Sequence, residues 1–336
     1  MSDIPFGVLA SAVPSDIPFG VPASAGLSEK EMLPGNFGLV FAGAAALCWT
    51  FSATAFSRSS GMVGSLPVNL IRLVLASVFF ALYGGLARGL FLPLDATAHA
   101  WFWLSLSGFI GFFLGDLFLF RSFRELGARL SMLVMSLAPL IAALTGWLWF
   151  RERMNRLDIA GMFVTLAGVA WVVLERRIDS AGDSKRVSAK GIAYAFVGAA
   201  GQGIGLVMGR WGMKDPLGVS PDYDPFAATQ IRAFTGLAAF IVLVLFLRRM
   251  NMVLAPLKRP KALAIIAFGS LLGPFLGVAF LMRAVQMIPS GVAQTLTATV
   301  PVLIIPLAVL LDKEHVTWRA VFGTLVTVAG VAMLCL

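Results

Sequence analysis

The chain has 336 residues, 59% hydrophobic and only 13% charged, with a mean hydropathy of +0.88 and a formal net charge of +9. Soluble domains carry about 25% charged residues, so this composition excludes an ordinary soluble core and makes the bilayer the expected solvent. Two cysteines, Cys48 and Cys335, both sit in apolar runs, and two histidines, His99 and His315, sit in predicted loops. A disulfide framework, a metal site, a cofactor site and histidine-based catalysis therefore have no material to work with. The positive charge falls in short segments between apolar runs, such as RERMNR at 151–156 and ERR at 175–177. That pattern reads as anchoring at lipid headgroups and not as a nucleic-acid surface.

Residues 1–35 differ in kind. SDIPFGV occurs at 2–8 and again at 15–21, an offset of 13, in a Pro-, Ser- and Ala-rich stretch without helical periodicity. It lacks the basic start and apolar run of a signal peptide. The expectation is a disordered tail, with a partner-binding tail as the alternative.

Ten apolar stretches follow, at 36–57, 66–87, 101–121, 128–150, 157–175, 190–210, 227–247, 262–284, 289–311 and 317–336. Each is close to the roughly 20 residues that cross a hydrocarbon core, and each must be helical to pair its own backbone. The predicted fold class is thus all-α, with ten transmembrane helices.

The chain also repeats itself. Shifted by 162, Gly111 falls on Gly273, Gly115 on Gly277, Arg121 on Arg283, Pro139 on Pro301, Glu152 on Glu314, Gly161 on Gly323 and Gly168 on Gly330. Ile71-Arg72 matches Ile231-Arg232 at an offset of 160. The two halves, 36–175 and 190–336, have five spans each. An odd count makes the second half enter the membrane from the opposite side, so the repeats are inverted. In transporters such repeats place the site near the midplane, at their interface.

Several features together resemble the EamA family of the drug/metabolite transporter superfamily. They are the Arg early in the second span (Arg72, Arg232), the GDLFLFRSF run at 115–123 and the Pro within the fourth span (Pro139, Pro301). The Glu closing that span (Glu152, Glu314) and the Gly pair of the fifth (Gly161/Gly168, Gly323/Gly330) complete the set. The resemblance implies a multi-pass protein of a bacterial inner membrane. It also implies a secondary transporter, an exporter of small metabolites or drug-like solutes by alternating access, as a monomer or homodimer.

Candidate residues follow from the cost of placing polar groups in lipid. Arg72 and Arg232 lie about six residues, roughly 9 Å, inside their spans, where ionisable groups face a bundle interior or a water-filled cavity; snorkelling to the headgroups is the alternative. Asp116 is the acid well inside a span, five residues before Arg121, and an ion pair with Arg72 is expected. Its repeat equivalent is Val278, so Arg232 has no such partner. That asymmetry makes Asp116 a candidate for proton coupling, against a structural role in neutralising Arg72. Arg121 and Arg283 are grouped with these as gating residues.

Gln294, Thr297 and Pro301 share one helical face, and Met132, Met135, Ser136 and Pro139 form the equivalent face. Each Pro frees a backbone carbonyl four residues earlier. These faces read as a cavity lining, or as interhelical glue. Trp49 and Gln202 occupy matching places in the first and sixth spans and suit recognition of a planar or amphipathic solute, although ordinary packing also accounts for a buried Trp.

The same residues bear on two other functions. A membrane-embedded enzyme needs a nucleophile–base pair or paired acids, and the spans supply one Asp and no His. A receptor or scaffold would have no use for inverted repeats. Eight Lys and Arg in the tail and even loops against sixteen in the odd loops favour termini outside, whereas the resemblance implies termini inside.

Overall fold

The computed structural model describes residues 29–178, 188–215, 221–248, 250–254, 256, 259–300, 302–304 and 318–334. The 13-residue repeat, Pro301 and Glu314 lie outside them. Every regular element among the described residues is helical. α1 spans Glu29–Val63, α2 Ser65–Tyr83 with a π-helical turn at Gly84–Arg88, and α3 Ala98–Gly108. A π-helical segment, Phe109–Gly115, joins α3 to α4, Asp116–Met135. α5 spans Ala138–Phe150 and α6 Arg156–Ile178.

In the second half α7 spans Ala189–Met213, α8 Pro225–Phe246 and the short α9 Met250–Leu254. α10, Pro260–Ser270, passes through a second π-helical segment, Leu271–Gly277, into α11, Val278–Met287. α12 spans Ser290–Thr297 and α13 Trp318–Leu334. Among the described residues, six helical stretches are long and apolar enough to cross a membrane: Phe37–Val63, Leu66–Arg88, Ala98–Ser122, Ala189–Met213, Pro225–Phe246 and Pro260–Met287. Ala138–Phe150, Ser290–Ile304 and Val321–Leu334 are shorter apolar helices.

Three sequence expectations need correction. Residues 29–35, placed in the tail, belong to α1. The loop expected at 122–127 is helical, because α4 runs on to Met135. The chain nevertheless reverses: Leu126 packs on Gly191, whereas Ala138 lies back against Gly203, 12 residues further along α7. The fourth span, expected to be continuous over 128–150, breaks at Ser136-Leu137, and Pro139 occupies the first turn of α5. Without an N–H and with its ring against the preceding turn, Pro139 starts a helix readily and continues one poorly. The same break recurs 162 residues later at Ala298-Thr299, two residues before Pro301.

The halves are assembled by exchange. α3, its π segment and α4 pack along α7 of the other half, as α10, its π segment and α11 pack along α1. α2 crosses α8, α5 meets α12, and α6 meets α13. Close approach depends on absent side chains. A Cβ on Gly205 would stand 3.0 Å from the Gly111 Cα, and one on Gly201 would stand 2.8 Å from the Gly115 Cα. On the α6–α13 seam Gly161 faces the Gly330 carbonyl and Gly168 faces that of Gly323, so repeat-equivalent glycines meet reciprocally. Gly38 near the start of α1 and Arg210 near the end of α7 both lie against Ile288. These equivalent helices therefore run in opposite directions.

Inside, small residues dominate: Ala42, Ala45, Ala76, Ala199, Ala228, Ala279 and Ala293 are fully buried. Trp147, Trp149, Trp171, Phe102 and Phe246 point outward. Small residues within and large apolar ones outside is the order that a lipid solvent allows.

Candidate functional site

A cluster of polar side chains sits where four helices from both halves converge. The π-helical segment ends at Gly115, so Asp116 opens α4 from within the bundle. Burying a carboxylate there is costly unless it is paired and hydrogen-bonded, and both oxygens are occupied. Asp116 Oδ2 accepts from the Arg72 guanidinium of α2 in an ion pair, and Oδ1 accepts from Gln202 Nε2 of α7 at 3.1 Å. Gln202 also reaches the Gly111 carbonyl at 3.4 Å. Both members of the pair are largely buried, with side chains 14% and 9% exposed. The Arg72 guanidinium stands 5.5 Å from the Phe56 ring.

Arg232 of α8 closes the cluster from the other end. It is 4% exposed and stands 4.9 Å over the Phe112 ring. Its Nη1 donates to Met282 Sδ at 3.1 Å, and its Nη2 lies 3.5 Å from where a Gly111 Cβ would be. Its Nε is buried without a partner, and Arg232 forms no ion pair among the described residues. The cluster thus holds two guanidinium groups and one carboxylate.

Trp49 and Gln202 occupy equivalent places: Trp49 faces Gly277 as Gln202 faces Gly115. Their chemistry differs, since only the Gln202 side finds a carboxylate. Gln294 and Thr297 are buried in α12; Thr297 donates to the Gln294 carbonyl at 2.8 Å, and Gln294 Oε1 finds no partner among the described residues. Met135 and Ser136 are half-buried at the break before α5, and Pro139 is buried just after it. The Met132 side chain and Pro301 lie outside the described residues. Arg121 and Arg283, expected to gate, are not in the cluster. Arg121 is exposed over Phe118, and Arg283 is exposed with a hydrogen bond to Gln286.

Two further polar clusters close the end of the bundle at which α1 starts. Glu152, following α5, forms an ion pair with Arg210 of α7 and accepts from Ser290 N at 2.8 Å and Ser290 Oγ at 3.0 Å. It thereby caps α12 of the other half. The sequence shows Glu152 as the acid that closes its span but gives no sign of Arg210 or Ser290, which are distant in the chain and have no shared spacing. Nearby, Arg88 pairs with Asp95, and the Tyr223 hydroxyl donates to Asp95 Oδ1 at 3.0 Å. Partial burial first, and then the Asp95 carboxylate, push the Tyr223 phenol up to about 12, with Arg88 opposing.

Such an arrangement, with a buried polar centre shared by two inverted repeats and polar ties at one end, matches a known pattern. The profile of the EamA-like transporter family matches residues 36–174 and 189–336, once per half. The chain belongs to the EamA-like transporter family. It is therefore an integral, multi-pass membrane protein of a transporter family, with lipid and a small-molecule solute as its partners. The EamA fold is also found in a solved structure titled "Crystal structure of protein", 21% identical, which covers 88% of this chain and 95% of its own at a TM-score of 0.65. No curated protein matches the chain.

Proposed function

We propose that this EamA protein is a ten-span secondary transporter of a bacterial inner membrane, acting as a monomer or homodimer, that exports small solutes by alternating access. The observation that carries this reading is the Arg72–Asp116–Gln202 network. It joins α2 and α4 of one half to α7 of the other, so a change at Asp116 bears on the contact between the repeats. Gln294, Thr297, Met135 and Ser136 would line the path, beside the breaks at Ser136-Leu137 and Ala298-Thr299. Glu152–Arg210 and Arg88–Asp95–Tyr223 would seal one end and would have to part when that end opens.

Protonation of Asp116 would weaken its hold on Arg72 and Gln202 together, which is the step expected of a proton-coupled exchanger. The test is counterflow of a solute panel in proteoliposomes at several pH values. A folded protein that moves no solute sinks the transport reading. An Asp116→Asn protein that retains full, pH-dependent flux sinks the coupling role.

A further inference from the structure

We propose that Arg232 is the anchor for a carboxylate on the transported solute, so that the preferred substrates are small organic anions or zwitterions. This deepens the transport reading and rests on it. Three observations support it. Arg232 is 4% exposed and, unlike Arg72 and Arg210, forms no ion pair among the described residues. Its visible partners, the Met282 sulfur and the Phe112 ring, are weak ones for a group with five donors. The nearby carboxylate is already committed, because Asp116 uses one oxygen on Arg72 and the other on Gln202.

The repeat shows what is missing. The position equivalent to Asp116 is Val278, which is buried one helical turn before Met282 and therefore on the face of α11 that meets Arg232. One half supplies its arginine with an internal counter-ion, and the other leaves that place apolar. An unpaired cation deep in a membrane protein is costly. A ligand carboxylate would relieve that cost in the geometry that guanidinium groups favour, two parallel N–H···O bonds. Gly111 lies beside Arg232 Nη2 and its carbonyl accepts from Gln202 at 3.4 Å, so the arginine and the amide flank the same short stretch of backbone, where the helices would have to part to admit such a group.

The experiment compares acids with their neutral amides on the purified full-length protein, by thermal unfolding. The probes are sodium benzoate, succinate and phenylalanine against benzamide, succinamide and phenylalaninamide, with sodium chloride at equal ionic strength. The carboxylates are expected to raise Tm while the amides and chloride do not. Arg232→Gln is expected to weaken carboxylate binding at least about tenfold, the worth of one charge-assisted hydrogen bond. Val278→Asp, which supplies the missing counter-ion while leaving Arg232 in place, is expected to abolish it.

Equal shifts from acids and amides, a shift from chloride alone, or no shift from any probe overturns the proposal. So does a Val278→Asp protein that keeps its carboxylate preference. Should neither variant fold, the acid-against-amide comparison on the unaltered protein decides. Transport is read separately: counterflow of neutral or cationic solutes with no carboxylate binding would leave the transport reading standing and remove this one.

Discussion

Gln202 of the second half donates a hydrogen bond to Asp116 of the first, 3.1 Å across the repeat boundary. The equivalent contact in the other half is Trp49 against Gly277, where no acid is present. The two halves therefore share a packing plan and differ in the chemistry placed at its centre.

Removing the acid should cost more than removing the pair. Asp116→Asn leaves the Arg72 guanidinium buried without its counter-ion, a loss of about 3–5 kcal/mol for a buried pair. The double change Asp116→Asn with Arg72→Gln should be much less destabilising than the sum of its singles. Thermal unfolding of the four proteins closes the cycle, and simple additivity would contradict the pairing.

At the end where α1 starts, Glu152→Ala should be among the most damaging single changes there. It strands Arg210 and removes the acceptor of the Ser290 N–H and hydroxyl at once. Loss of about 3 kcal/mol or more is expected, with Glu152→Gln milder because an amide oxygen still accepts from Ser290. Unfolding midpoints of the two variants check the order.

Bulk on the glycine seam should also be punished. Gly205→Val places a branched side chain against the Gly111 Cα and should destabilise by about 1–3 kcal/mol or prevent assembly. Gly43→Ala, where a Cβ meets nothing within 4 Å, should fold normally. Yield of monodisperse protein separates the two.

Tyr223 predicts an alkaline limit. Its folded-state pKa is raised to about 12 from an ordinary value of 10, so folding favours the protonated phenol. The stabilisation is complete below pH 10 and is lost as pH climbs from 10 through about 12. Tyr223→Phe, which deletes the hydrogen bond to Asp95, should be less stable at neutral pH and should show a smaller loss across that window. Identical pH profiles would contradict the assignment.

Much of this was legible from residue order. The offset of 162 paired the glycines at 111 and 115 with those at 273 and 277, which serve equivalent close crossings; the π-helical geometry at those places was visible only in the structure. Arg72 and Asp116 could be placed together because alternating spans bring their depths to one level. Arg121 and Arg283 could not be placed from the sequence, because a charge at a span end can turn either into the bundle or outward, and both are exposed on the surface, outside the cluster.

Sequence alone settled the solvent, the duplication and the imbalance of two deep arginines against one acid, since these depend on composition, spacing and the cost of charge in lipid. Tertiary structure alone decided which residues meet. Each half packs against the other's equivalent helices, so Gln202, Arg210 and Ser290 find acids contributed by the first half. Side chains separated by 58 to 138 residues become neighbours through that exchange, and no local pattern records it.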